Sequence, residues 1–463
     1  MSFEEKTGVV SKLAESITVR DSGCAGSDSI QECSEFNLEL HEHPPSPLRL
    51  LYFAPHQAWP INTGGRLRDY QLARQLGARC SVTFAEMRSS REKWCKPPEQ
   101  SGLANVITLD KGRTYSPSKI IRGLAGPIPL TVLNCWSRRM ASKLADAFRS
   151  YQFDSVQIEG VHLMEYLPII HNTLGTREIV IDWHNIESEL MWRYAGTPLN
   201  PFKKLAAKRT AKLIERAEDR LLDTCATHTV TSERERQKLL ARRPGANITV
   251  IPNGVDASYY SPRESSRISG QNVRYHSKRT IVFVGSMDYH ANIDAVMWFS
   301  RTAWPEIAQK YPDFHFTIVG RDPATVVRSL ASDRIHVTGT VDDVRPFYSS
   351  AVVAVVPIRS GSGTRLKILE AMAAGVPVVS TRLGAEGIDV EHDNHILLAD
   401  SVTEMTAAIV RIISSPETRN RLAAAARALV VNRYDWSAIG KKLYRIHSDL
   451  ARARQCHSLP KGS

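Results

Sequence analysis

The 463-residue chain is 42% hydrophobic and 23% charged, a balance that suits a globular protein with room for two α/β domains of about 200 residues each. Its seven cysteines, at 24, 33, 80, 95, 135, 225 and 456, are odd in number and contain no CxxC pair, which argues against a disulfide scaffold or zinc site and for a reducing cytoplasm. The net charge of +12 favours anionic partners such as nucleotide phosphates or anionic lipid, whereas nucleic acid is set aside because the basic residues are dispersed and no recognised nucleic-acid motif is present.

Residues 1–46 carry nine acidic residues against Lys6, Lys12 and Arg20, a net of −6 that leaves +18 on the rest of the chain. Low hydrophobicity and the absence of apolar periodicity read as a disordered acidic tail. His41 and His43 read there as solvated side chains rather than metal ligands. No signal-peptide core and no run of about 18 apolar residues occurs, so no membrane span is expected.

Order is expected from Leu48. A buried strand (48–54) leads into a loop with Pro60, Gly64 and Gly65, then a helix with Leu67, Tyr70, Leu72, Ala73 and Leu76 on its buried side. Strand candidates at 80–85, 105–109, 154–158, 178–182, 226–231 and 248–251 alternate with helical stretches, the pattern of a parallel sheet covered by helices. Within this series, 200–222 is a basic amphipathic helix, with Lys204, Lys208, Lys212, Arg216 and Arg220 opposite Leu205, Leu213, Ile214, Ala217 and Leu221. Such a helix suits either a solvated domain surface or contact with an anionic membrane.

The polar segment Asn253–Lys278 reads as a linker, after which an α/β series restarts with strands at 281–285, 314–319, 335–338, 352–357 and 376–380. The expected organisation is a tail (1–46), a first Rossmann-like acceptor domain (47–253), a second nucleotide-sugar domain (254–434), a helix crossing back to the first domain (435–455) and a short tail (456–463).

The segment 360–375, SGSGTRLKILEAMAAG, places small residues before a helix expected to begin near Thr364 and to stop at Gly375. Arg365 and Lys367 in a first helical turn oppose the helix dipole, a cost that an anion held by free backbone N–H groups reverses. The alternative is that both side chains point into water. Glu370 lies in an otherwise apolar stretch and needs a partner, either a ribose diol or Lys367 three residues earlier.

This segment resembles the C-terminal signature of the retaining glycosyltransferases of family 4, whose fold is GT-B: α/β, with two Rossmann-like domains facing each other across a cleft. The likeness extends over most of 48–450, through Pro60-x-x-x-Gly64-Gly65, IPNGVD (251–256), FVGSMDYHAN (283–292), TIVG (317–320) and VTGTVDDV (337–344). GSMDYHANIDAV with SGTRLKILEAMAAG is most similar to a branch associated with bacterial exopolysaccharide and capsule assembly. The resemblance implies a nucleotide-sugar donor held by Gly64, Gly65, Gly285, Val341, Gly363, Thr364, Arg365, Lys367 and Glu370, with Glu370 on the ribose.

It further implies retention by front-side attack, no cofactor, no metal, and a glycan or lipid-linked acceptor reached from the cytoplasm, compatible with peripheral contact on an anionic membrane. Candidate catalytic residues are Glu159 and His162 in the loop after 154–158, between which the sequence does not choose, and His184 in Asp182-Trp-His-Asn-Ile-Glu187. A packed histidine beside a helix-capping Asn185 is the plain alternative for the last. Two positions depart from the family pattern: Ser362 stands where a Glu is common, and Ser286 and Asn292 stand where a basic pair is common, with Arg365 and Lys367 as the replacements for that charge. A sugar-nucleotide epimerase of the same fold and a non-catalytic nucleotide-sugar-binding scaffold are the competing readings.

Overall fold

The computed structural model describes residues 47–61, 63–89, 95, 101–111, 116–174, 178–197, 200–262, 279–361 and 365–458. Gly363 and Thr364 of the glycine-rich segment, Ser362, His41, His43 and the 263–278 part of the linker lie outside them.

Among the described residues, seven strands form a first sheet: β1 (Arg49–Ala54), β2 (Ser81–Arg88), β3 (Asn105–Asp110), β4 (Ser155–Glu159), β5 (Ile179–Trp183), β6 (Thr227–Val230) and β7 (Ile248–Val250). Their spatial order is β3-β2-β1-β4-β5-β6-β7, every neighbour parallel. The second sheet holds β8 (Thr280–Val284), β9 (His315–Val319), β10 (Ile335–Val337), β11 (Ala351–Val356), β12 (Val378–Ser380) and β13 (Leu397–Leu398), ordered β10-β9-β8-β11-β12-β13 and again parallel. Both orders reverse direction once, between β1 and β4 and between β8 and β11. At such switch points helices leave on opposite faces and a crevice opens beyond the strands' carboxyl ends.

Strand alternation explains how one sheet serves two cores. Leu51 and Phe53 of β1 join Val156, Ile158, Ile179 and Ile181 on one face. Leu50 and Tyr52 point the other way, against Leu72 and Leu76 of the Gly64–Gly77 helix and against Trp436, Ile439 and Leu443. The last three belong to a helix, Trp436–Ser458, that follows the second sheet in sequence yet packs on the first. Gly440 makes that approach possible: a Cβ there would lie 2.4 Å from Gln75 Cβ. The two chain segments that pass between the halves run side by side, Val255 N donating to Tyr434 O at 2.8 Å and Trp436 N to Val255 O at 3.2 Å.

β4 shows the same alternation with a polar side. Val156 and Ile158 enter the apolar core, while buried Ser155, Gln157 and Glu159 face the returning helix. His447 of that helix is fully buried, with Nδ1 2.7 Å from Ser155 Oγ and Nε2 3.0 Å from Gln157 Oε1.

Truncating fully buried Leu443 to Ala should cost about 2–5 kcal/mol in urea unfolding, through lost burial and a residual cavity. Exposed Lys441→Ala, two residues away on the opposite side of the helix, should stay within about 0.5 kcal/mol. Equal effects would show that the helix does not depend on this face.

Candidate functional site

At the carboxyl end of β8, Gly285 faces a lysine from across the switch point. A Cβ on Gly285 would stand 2.6 Å from Lys367 Nζ and 2.9 Å from Asn292 Nδ2, so a larger residue would displace the ends of both side chains. Lys367 Nζ donates to Asn292 Oδ1 at 2.7 Å and lies 4.1 Å from the centre of the Phe283 ring; Asn292 Nδ2 in turn donates to Ser286 O at 2.8 Å. Burial, reinforced by repulsion from Arg365, lowers the Lys367 pKa to about 7. Asn292 thus stands beside the lysine that sequence comparison names as the substitute for its missing charge.

The helix after the glycine-rich segment runs Leu366–Ala373, two residues later than a start at Thr364. Arg365 is therefore its N-cap rather than a first-turn residue, with no side-chain capping bond, because an arginine has no acceptor to offer the free N–H groups. Arg365 Nη2 donates to Ser360 O at 3.4 Å. One turn after Lys367, Glu370 Oε2 accepts from the Tyr348 hydroxyl at 3.2 Å. Burial raises the Glu370 pKa, with the Tyr348 bond and Lys367 opposing the rise. Tyr348 is thus a partner that neither sequence alternative for Glu370 contained. Val341 is half-buried and packs on the second core.

A second cation reaches the same loop unannounced. Arg321, just beyond β9, donates from Nε to Ser286 Oγ at 2.9 Å, and Ser286 Oγ donates to Asp288 Oδ1 at 2.5 Å.

On the first sheet, the carboxyl ends of β1, β4 and β5 converge on His184. Gly64 and Gly65 are not loop residues but the first two of a helix capped by Thr63, and a Cβ on Gly65 would lie 3.7 Å from both His184 Nδ1 and His56 Nε2. His184 Nε2 is 2.6 Å from Glu159 Oε2, 3.0 Å from Asp69 Oδ1 and 3.5 Å from Asp182 Oδ2. The pairing of β4 with β5 sets Glu159 beside Asp182. Against the cost of burial, Asp69 and Glu159 hold the His184 pKa well above the usual imidazole value. Burial and repulsion from Asp182 raise that of Glu159, opposed by His184. The sequence alternative of an Asn185 cap is not realised: Ile186 is the N-cap of the following Glu187–Ala195 helix, and no side chain caps it.

Asp182 is fully buried and carries the network inward. Arg68 grips both its oxygens, Nε to Oδ2 and Nη2 to Oδ1 at 2.9 Å each, while Thr229 Oγ1 donates to Oδ1 at 2.5 Å. The same guanidinium donates to the carbonyls of Ile251 at 2.8 Å and Pro252 at 3.0 Å. Three carboxylates, Asp69, Glu159 and Asp182, thus meet two cations, Arg68 and His184. The remaining negative charge adds to burial in raising Glu159. Gln157 Nε2 donates to Glu159 Oε1 at 2.7 Å, linking this cluster to His447.

His162 lies after Gly160, and burial followed by repulsion from Lys111 lowers its pKa to about 4, so it is neutral at physiological pH. Asp69, Glu159 and His184 each place a ligand-type atom within 4.8 Å of the others, a spacing compatible with a metal ion. The 2.6 Å and 3.0 Å approaches of His184 Nε2 to the two carboxylates are ion-pair contacts, which offer an alternative use for the same atoms. Across the two sheets, Arg234 joins Glu189 of the first half at 2.5 Å to Glu386 of the second at 3.1 Å. Asp69, Arg68, His56, Tyr348 and Arg321 escaped the sequence reading. The one signal available was the pair Arg68-Asp69 on the buried side of a helix.

Comparison with known proteins agrees with this architecture. Residues 70–259 match the family model Glycosyltransferase Family 4, and residues 278–415 match Glycosyl transferases group 1, so both halves carry glycosyltransferase domains. Phosphatidyl-myo-inositol mannosyltransferase of Mycobacterium tuberculosis (strain ATCC 25618 / H37Rv) is 28% identical over 218 residues, 45% of this chain and 55% of that protein. The chain thus matches about half the length of such curated relatives. Sucrose-phosphate synthase from Thermosynechococcus elongatus superposes with a TM-score of 0.62 at 18% identity, covering 88% of this chain and 100% of that one. Anabaena HepE in complex with UDP and glucose gives 0.56 at 16% identity, covering 89% and 100%. The shared fold is GT-B.

Arg68→Met should cost about 3–5 kcal/mol in urea unfolding, because it strands a fully buried Asp182 carboxylate. Arg68→Lys should recover little, since an ammonium cannot span both oxygens and two carbonyls. A loss below about 1 kcal/mol would show that water replaces the guanidinium.

Proposed function

We propose that the chain is a glycosyltransferase that moves a sugar from a nucleotide-sugar to a lipid-linked or glycan acceptor, with retention of configuration and without a metal, in surface glycan assembly. The observation that carries this reading is Lys367 pressed against Gly285 at a helix start, with Glu370 one turn beyond. A cation with its pKa lowered by burial gains most from a diphosphate, which restores its charge. In this reading Glu370 takes the ribose hydroxyls, Arg365, Lys367 and the segment with Gly363 and Thr364 hold the diphosphate, and Gly285 and Val341 line the nucleotide. Gly64 and Gly65 bring the first half's backbone close to the same phosphates. HepE, whose structure holds UDP and glucose, and the relative named for mannosyl transfer to phosphatidyl-myo-inositol support the donor and acceptor classes.

In the proposed reaction the acceptor oxygen bonds to the anomeric carbon on the face from which the diphosphate leaves. The bond from that carbon to the phosphate oxygen breaks, its electron pair stays on the diphosphate, and the departing oxygen takes the acceptor proton. Lys367 and Arg365 stabilise the charge as it develops. His184, kept cationic by Asp69 and Glu159, donates to a sugar hydroxyl, whereas neutral His162 can accept. Closure of the halves excludes water that would otherwise hydrolyse the donor.

The direct test incubates the protein with a panel of nucleotide-sugars in excess chelator, with and without lipid-linked acceptors. Acceptor-dependent nucleotide release is expected, and Glu370→Ala should lose about 3–5 kcal/mol of donor affinity by calorimetry, two hydrogen bonds to a charged group. Release of an altered free sugar without acceptor, or activity restored only by magnesium or manganese, would overturn the proposal.

The Lys367 pKa of about 7 gives the proposal a pH signature. The cationic form binds the diphosphate, so donor affinity should be full below pH 7 and fall as pH rises above it, by up to about tenfold per unit. Lys367→Gln should bind weakly with no such fall. A wild-type affinity flat from pH 6 to 9 would place the diphosphate elsewhere.

A further inference from the structure

The helix Pro201–Thr224 has two chemically different halves. Residues 201–214 contain Lys203, Lys204, Lys208, Arg209 and Lys212 and no carboxylate; Glu215, Glu218, Asp219 and Asp223 all follow. The acidic half is matched from the end of the neighbouring Glu233–Arg242 helix, with Arg242 paired to Glu218 and Asp219, and Arg243 to Asp223. Among the described residues, Lys203, Lys204, Lys208 and Lys212 enter no ion pair. Lys203 and Lys204 also lie in the first turn of the helix, where its dipole disfavours cations.

The same end exposes large apolar side chains. Phe202 is 86% exposed and Leu205 68%, and Ile121 on the Pro117–Ala125 helix is 65% exposed. Arg209 fixes these two helices together, donating to Gly123 O at 2.9 Å and Gly126 O at 2.7 Å. Beside that junction lies a groove of about 600 Å³ lined by Trp192, Leu205, Lys208 and Lys212. A second hollow of about 320 Å³, lined by Ile121, Arg122 and Ile128, shares Ala125, Gly126 and Pro127 with it, so the two are continuous.

We propose that this face docks on an anionic lipid bilayer, with Phe202, Leu205 and Ile121 entering the acyl boundary and Lys203, Lys204, Lys208, Lys212 and Arg122 meeting the headgroups. Water satisfies neither set fully: the apolar tips gain by leaving it, and the clustered cations gain from a surface of opposite sign. An apolar set ringed by cations matches a bilayer in both respects, whereas a nucleic acid would leave the apolar tips without a partner. Trp192 of this groove sits on the Glu187–Ala195 helix, which begins three residues after His184. The docking deepens the lipid-linked acceptor proposed above, but it is tested without donor or acceptor, so either can fail alone.

The experiment floats the full chain with vesicles of phosphatidylcholine alone or with about 30% phosphatidylglycerol. Binding to the anionic vesicles should exceed binding to the neutral ones by at least about tenfold. Phe202→Glu with Leu205→Glu, and separately Lys203→Glu with Lys204→Glu and Lys208→Glu, should each cut anionic binding by about tenfold or more, while Lys310→Glu should not. All altered side chains are exposed, so unfolding temperature and nucleotide-sugar affinity should stay at wild type. Equal binding to both vesicle types, or full binding by either multiple variant, would overturn the proposal. So would a protein that ignores vesicles but forms a dimer broken by the Phe202 and Leu205 changes, read by light scattering.

Discussion

The Arg68–Asp182 pair is the interaction on which the first half's site depends. A buried carboxylate is costly unless paired and hydrogen-bonded, and Asp182 receives two guanidinium bonds and the Thr229 hydroxyl. The arginine does more than neutralise it. By also holding the carbonyls of Ile251 and Pro252, it ties the start of the passage to the second half to the sheet's carboxyl edge. With Asp182 so committed, His184 is left to Asp69 and Glu159, which sets its charge and position. The electrostatic state of the cleft therefore originates in a residue that does not line it.

The two halves use opposite electrostatics at equivalent places in the fold. Beyond β4 and β5, carboxylates outnumber cations and a glutamate is driven towards its neutral form. Beyond β8 and β11, cations gather with little countercharge and a lysine is driven towards its neutral form. Each side is held in an unfavourable protonation balance by burial, and an anion on the cationic side would favour the charged lysine. Arg234, bonded to Glu189 and Glu386, bridges the halves along the rim.

Much of this was legible in the sequence, for identifiable reasons. The alternation of apolar strands with helical stretches is written in periodicities that local sterics impose, and twelve strands could be placed to within a few residues. The two-residue β13 could not, because Leu397–Leu398 carries no period at all. Lys367 and Glu370 stood out because charge is conspicuous in an apolar helix. Arg68 and Asp69 did not, because adjacent opposite charges in a helix ordinarily read as solvated surface. The polar face of β4 was equally hidden, since Ser155-Val-Gln-Ile-Glu159 looks half-exposed until a distant helix supplies His447. The Leu366–Ala373 helix starts two residues after the expected Thr364, and the residue at its N-cap is an arginine, whose side chain offers no acceptor by which sequence could mark it.

The returning helix has a consequence for how the chain acquires its structure during synthesis. Leu50 and Tyr52 are among the first apolar residues of β1 to leave the ribosome, yet part of their cover, Trp436, Ile439 and Leu443, is translated much later. At 5–20 residues per second, the nearly two hundred residues between β7 and that helix take roughly 10–40 s to make. Through that interval one face of the first sheet stays incompletely covered while the second sheet assembles. The nascent chain must therefore wait, partly finished, for a segment made well after the first sheet to close that half.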